Sequence, residues 1–184
     1  PNLGFALVTD LRDAASAEVA GDAALVAQAQ AGIEALNARY RGDGGFFLFH
    51  RARAWNPRER LWMGWERKRG KLEQFNAALR GDRGRFATVV GPTERLGDVQ
   101  YVIALDSDTA LPRDAGRVLA ATLAHPLNRP RFDAALGRVT AGYAILQPRV
   151  GASMASIARS RFARWFGGDA GIDPYTRAVS DVYQ

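Results

Sequence analysis

One stretch limits the possible folds more than any other: Tyr101–Leu111, YVIALDSDTAL. Its apolar residues, Tyr101 to Leu105, stop at Asp106-Ser107-Asp108. A short apolar run rich in β-branched and aromatic residues predicts a buried strand. Two carboxylates at i and i+2 after such a strand stand at the carboxyl edge of an α/β sheet, where open sheets place their ligands. Like charges that close repel, and the usual compensator is a divalent cation, which prefers hard oxygen ligands. The alternative is a plain strand-to-helix turn, with Thr109 as the cap and Pro112 in the first helical turn.

The flanking sequence reads as strands alternating with helices. Phe5–Val8 predicts a strand ending at Thr9-Asp10, with Asp10 and Asp13 at its carboxyl edge. On this stretch alone, those two aspartates suit an exposed turn. Val19, Val26, Ala29, Ile33, Leu36 and Tyr40 recur at helical spacing and predict an amphipathic helix over about Ser16–Tyr40. Phe46–His50 (FFLFH) is the next strand, so the chain begins strand–helix–strand, as a parallel α/β sheet does. Arg51–Trp65 reads as a long loop with tryptophans at 55, 62 and 65, either folded over the core or lying beside a ligand. Leu72, Phe75 and Leu79 predict a helix opening at Gly70 or Lys71.

Further on, Arg85–Val90 predicts a strand, Gly91–Asp98 a turn, and Pro112–Ala124 a helix stopped by His125-Pro126. A loop to about Ala141 precedes the strand Tyr143–Leu146 and Gln147-Pro148. Met154, Ile157, Arg161 and Trp165 mark another helix, and Asp173-Pro174 starts a last turn. The fold class is therefore α/β, with a mostly parallel sheet flanked by helices. The 184 residues suit one domain or part of one.

Charge bears on the partner. The net charge is +6, which suits an anion: phosphates, a membrane surface or nucleic acid. The only lysines, Lys68 and Lys71, fall with Arg67 and Arg69 where a helix is expected to start. A helix N-terminus is already positive, so cations there conflict with the macrodipole unless an anion binds. No cysteine is present and only two histidines, which leaves carboxylates and water as the metal ligands to expect. No apolar run approaches the ~20 residues of a membrane helix, so the segment itself is expected to be soluble. The chain opens without Met and stops in mid-pattern at Gln184, as an excised piece of a longer protein would.

Two chemistries use the acidic pair, and a third reading rests on the basic charge and the interleaving of arginines with aromatics. One is the DxD motif that clamps a metal and a nucleotide-sugar diphosphate. A second is the DxDxT nucleophile motif of haloacid-dehalogenase-like phosphatases. That fold needs a later lysine and a later acidic pair, yet no lysine follows Lys71, and Asp169, Asp173 and Asp181 are not adjacent. A basic nucleic-acid-binding module is the third, and it leaves two carboxylates facing a polyanion. No nucleic-acid partner is therefore expected.

In detail, MGWERKRGKLEQFN, LDSDTALPRDAGRVLAATLAHPLNRP, YAILQPRVG and RSRFARWFGGDAGIDPYTRAVSDVYQ resemble the glycosyltransferase region of bacterial cyclic β-1,2-glucan synthases. These are family-2-like enzymes of the GT-A fold, which is Rossmann-like. The likeness covers nearly the whole chain and is weakest in the first forty-odd residues. It implies one domain over 1–184: the donor-binding part of a glycosyltransferase domain from a longer membrane protein. It implies UDP-glucose as donor, a growing β-1,2-glucan as acceptor, and Mg²⁺ or Mn²⁺ as the ion. Residue by residue, Asp10 matches the contact to uracil, and Gly70, Lys71 and Asn76 match the element bordering the diphosphate. Asp106 matches the ribose-side and metal-side carboxylate, Asp108 the direct metal ligand, and Gln147 the wall of the donor-sugar pocket. The family's first strand, acceptor-gripping residues and general base have no match, and the base is expected beyond Gln184. The parent is expected at the cytoplasmic face of the inner membrane. The segment alone is expected to transfer no sugar and to self-associate through uncovered surface.

Overall fold

The computed structural model describes residues 3–41 and 45–148. The helix expected around Met154–Trp165 and the turn at Asp173-Pro174 lie outside them. The chain divides into two units, the first running to Val102 and the second starting at Ile103.

The first unit is built on the most apolar strand. β1 (Phe5–Asp10), α1 (Asp22–Arg39) and β2 (Phe46–Arg51) form the expected strand–helix–strand unit. β1 and β2 pair in parallel from Phe5↔Phe46 to Asp10↔Arg51. β2 is central and buried from Phe47 to Arg51, because both of its faces are covered. Alternation along a strand sends Phe47 and Phe49 to one face and Leu48 and His50 to the other. On the first face, Phe49 meets Phe75 and Phe86 edge-on, with ring centroids 5.1 Å apart in both pairs. Phe47, Ala78 and Leu96 complete that core. α1 packs on β2 with Ile33 buried, and neither Ile33 nor Leu48 belongs to the Phe49 cluster. The side-chain amide of Asn37 in α1 also brackets Phe46, donating to its carbonyl at 2.8 Å and accepting from its N–H at 2.9 Å.

α1 starts at Asp22, not Ser16, because Gly21 sits at φ 93° and ends the preceding loop. The expected loop Arg51–Trp65 contains a hairpin of β3 (Ala54–Asn56) and β4 (Leu61–Met63), with Trp55 opposite Trp62. α2 (Arg67–Leu79) follows and carries Phe75 and Ala78 into the core. It begins ahead of the expected Gly70.

The sheet departs from the expected mostly parallel form. β5 (Thr88–Val90) pairs antiparallel with β2, so the three-stranded sheet β1-β2-β5 is mixed. The Ala87 N–H donates to the His50 carbonyl, so the chain enters β5 at the carboxyl end of β2. A 3-10 turn, Thr93–Asp98, follows.

The second unit holds α3 (Ala115–Ala124) and a hairpin of β6 (Arg131–Asp133) and β7 (Arg138–Ala141), inside the expected loop. Asn128 and Arg129 donate to the Thr122 and Ala124 carbonyls and so close the C-terminus of α3. The expected strands Tyr101–Leu105 and Tyr143–Leu146 do not form. Tyr101, Val102, Ile103 and Leu105 remain 38–48% exposed and join no ladder among the described residues. An apolar run becomes a strand only where another backbone pairs with it, and composition does not supply that partner. No described helix is long and apolar enough to cross a membrane.

His50 makes the first unit sensitive to acid. It is 6% exposed, and its Nδ1 lies 2.9 Å from the Thr9 hydroxyl. Burial pushes its imidazole below the ordinary 6.5, against the pull of the Asp10 and Asp22 carboxylates, and Arg53 adds to the lowering. The unfolded chain therefore binds this proton more readily than the folded one. The contribution is full above pH ~6.5 and is lost as pH falls through the lowered value. The urea midpoint should drop between about pH 7.5 and about pH 5.5, and His50→Gln should flatten that drop. An unchanged slope in the variant would show that His50 is not the sensor.

Candidate functional site

Two adjacent strands end in opposite charges. The parallel register sets Asp10, the last residue of β1, beside Arg51, the last of β2, at one carboxyl edge. Arg51 is 3% exposed, and its Nε donates to Asp10 Oδ1 at 2.6 Å. Its Nη1 donates to the Trp65 carbonyl at 2.9 Å and to Gln74 Oε1 at 3.2 Å. Its Nη2 donates to the Arg67 carbonyl at 3.0 Å. Four of the five guanidinium N–H groups are thus committed within the protein. The second carboxylate oxygen of Asp10, Oδ2, lies 3.4 Å from Lys71 Nζ. Lys71 and Asp10 are both partly open, with side chains 25% and 17% exposed.

The start of α2 is strained, and the strain aims the helix. Glu66 and Arg67 sit at φ 51° and 46°, the left-handed region that costs a non-glycine residue about 1–2 kcal/mol. Such a turn persists where its surroundings hold it. Arg51 grips the carbonyls on both sides of Glu66, and the Arg67 N–H donates to the Gly64 carbonyl at 3.0 Å. Two glycines admit this close approach. A Cβ on Gly70 would stand 2.1 Å from the Trp65 carbonyl oxygen, and one on Gly64 2.8 Å from both Asp10 Cγ and Arg51 Nη2.

The cations at this helix start are not a free basic patch. Arg67 donates to Asp13 at 3.0 Å and to Glu59 at 2.6 Å, and those carboxylates push its guanidinium further toward the charged form. Arg69 lies 3.6 Å from Glu66. Asp13 thereby gains a role in joining the loop after β1 to α2. The same loop is held by Arg53, which is buried and bonds to the Arg12 and Ala17 carbonyls and to Asp22. The Arg53 hydrogen bond holds the Asp22 carboxyl below its usual range.

Of the residues singled out in the sequence, the structure brings Asp10, Gly70 and Lys71 together. Asn76 is exposed on a different face of α2 from Lys71, about 140° around the helix. It lines a groove of about 600 Å³ with Leu79, Arg80, Arg83 and Gln100. Asp106, Asp108 and Gln147 are exposed in the second unit. The Asp106 carbonyl accepts the Thr109 N–H at 3.0 Å, which folds DSDT into a turn. Among the described residues, no three His, Cys, Asp or Glu side chains converge as a metal site. The acidic pair would leave the remaining ligands to phosphate oxygens and water, which suits Mg²⁺. Arg51, Arg53 and Gln74 were not legible as functional. The signal for Arg51 is an arginine directly ending a buried run, opposite a strand ended by aspartate.

No family model matches the chain. Over 183 residues, 98% of this chain, it is 47% identical to the cyclic beta-(1,2)-glucan synthase NdvB of Rhizobium meliloti (strain 1021). The chain spans 6% of that protein's length. The resemblance to cyclic β-1,2-glucan synthases is thus borne out along nearly the whole chain, as similarity to a small segment of one.

The packing of Gly70 can be tested against a glycine with room. Gly70→Ala should destabilise the chain by about 1–3 kcal/mol in urea unfolding, since the new methyl meets backbone. Gly32→Ala, in α1 with nothing within 4 Å of the new Cβ, should stabilise it by about 0.5–1 kcal/mol. Equal effects at the two sites would mean that Trp65 does not lie over Gly70.

Proposed function

We propose that this chain is donor-side sequence of a UDP-glucose-dependent glucosyltransferase that makes β-1,2-glucan, and that the Asp10–Lys71 edge takes the nucleotide. The observation that carries this reading is the meeting of Asp10 and Lys71, 3.4 Å apart, at one strand edge beside the start of a helix. The similarity to the synthase segment supplies the reaction class. The β1–α1–β2 unit is read as part of the Rossmann-like half of a GT-A fold.

In this reading Asp10 accepts from the uracil, and Lys71 meets the diphosphate. Gly70 lets the backbone close in behind them, and Asn76 borders the far side. Asp106 serves the ribose and the metal, Asp108 binds the metal directly, and Gln147 lines the donor-sugar pocket. Bound there, Mg²⁺ or Mn²⁺ would neutralise the diphosphate. The DSDT turn that carries both carboxylates is exposed. The acceptor glucan, its grip and the general base belong to the rest of a membrane-bound parent acting at the cytoplasmic face. Transfer needs a base within reach of the attacking hydroxyl, held in line.

Titration of the chain with UDP and uridine, with and without Mg²⁺, tests the site. Lys71→Ala should weaken UDP about tenfold or more and uridine much less, because a charge-assisted bond to phosphate is lost. Asp108→Asn should remove the gain that Mg²⁺ gives to UDP. Equal losses for both ligands would take Lys71 out of the diphosphate role, and an undiminished Mg²⁺ effect would take Asp108 out of the metal site.

The isolated chain should elongate nothing when incubated with UDP-glucose, Mn²⁺ and a β-1,2-glucan primer. Elongation would place the base within these 184 residues.

A further inference from the structure

We propose that Arg51 is the positioning residue of the nucleotide site, holding Asp10 and the start of α2 in one grip so that Lys71 is set for the diphosphate. This rests on the nucleotide reading of the Asp10–Lys71 edge and adds a residue that the sequence motifs do not contain.

Arg51 is not a ligand contact in waiting. It is 3% exposed, and four of its donors end on protein acceptors. Those acceptors lie on the two parts that must be aligned. Asp10 ends β1, whereas the Trp65 and Arg67 carbonyls flank the left-handed turn that decides where α2 begins. Lys71 stands about one helical turn further on. Asp10 gives one oxygen to Arg51 and turns the other toward Lys71. The guanidinium therefore fixes both the carboxylate and the helix from which the ammonium projects. A planar fork is needed for this: an ammonium on a flexible stem cannot serve four acceptors in fixed directions.

The test separates positioning from simple stability. UDP and uridine are titrated in Mg²⁺ against the unaltered chain, Arg51→Lys, Lys71→Ala and the double variant. The quantity read is the UDP-to-uridine affinity ratio, in which any loss through Asp10 and the base cancels. Arg51→Lys should lower that ratio by about tenfold, close to the effect of Lys71→Ala, and the double variant should lower it no further. Should Arg51→Lys fail to fold, Gln74→Met removes one acceptor from the guanidinium and should give a smaller fall, again absent when Lys71 is alanine. A ratio unchanged by both variants, or losses that multiply in the double variant, overturns the role of Arg51 while leaving the nucleotide site in place. An unaltered chain that binds no UDP overturns the nucleotide reading and this proposal with it.

Discussion

A guanidinium taken out of water beside a partly open carboxylate, at the ends of neighbouring strands, is tolerable only when its hydrogen-bonding groups are met. Breaking such a pair costs about 3–5 kcal/mol, because the partner stays buried and charged. Arg51 and Asp10 meet that condition by recruiting the polypeptide around them: two carbonyls at the start of α2, the Gln74 amide and the Lys71 ammonium. Two residues on, Arg53 does the same for the loop after β1, through the Arg12 and Ala17 carbonyls and Asp22. The polar edge of the first unit is therefore organised by two arginines from one extended stretch. The phenylalanine core beneath it sets the strands but not the loops above them.

Both parts follow from a strand that is apolar up to its last residues. Phe47, Leu48 and Phe49 are buried on two faces, which forces the strand to the centre of the sheet. A central strand must deliver its final residues to a crowded edge. What stands there has to be polar enough to end the run and well enough bonded to stay buried. Arginine, with five donors in a rigid fork, satisfies both demands.

Much of this was legible where the information is local. The spacing of Val26, Ala29, Ile33 and Leu36 gave α1 its inward face, and FFLFH read directly as a strand. Asp10 reads locally as an exposed turn and Lys71 as part of a basic helix start, and the resemblance is what assigns them to a nucleotide. What escaped is set by contacts distant in sequence. The start of α2 depends on a left-handed turn at Glu66 and Arg67, residues with no turn signature, held by a guanidinium from β2. The β3–β4 hairpin hid for a related reason, since its positive-φ residue is Arg60 rather than glycine. The apolar run before Asp106 misled in the other direction: hydrophobicity suggested a strand, but pairing requires a neighbouring backbone. Arg51 reads in the sequence only as the first residue of a loop, because its partners Asp10, Trp65, Arg67 and Gln74 are distant along the chain.

Asn37 carries a consequence for how this sequence can vary. Its amide offers Phe46 one donor and one acceptor, the pattern a neighbouring strand would present. The first residue of β2 is thereby docked onto α1 by side-chain chemistry, whatever the length of chain between them. A residue at 37 without both a donor and an acceptor would leave the Phe46 backbone unmet on that side, at the first rung of the pairing that sets Asp10 beside Arg51.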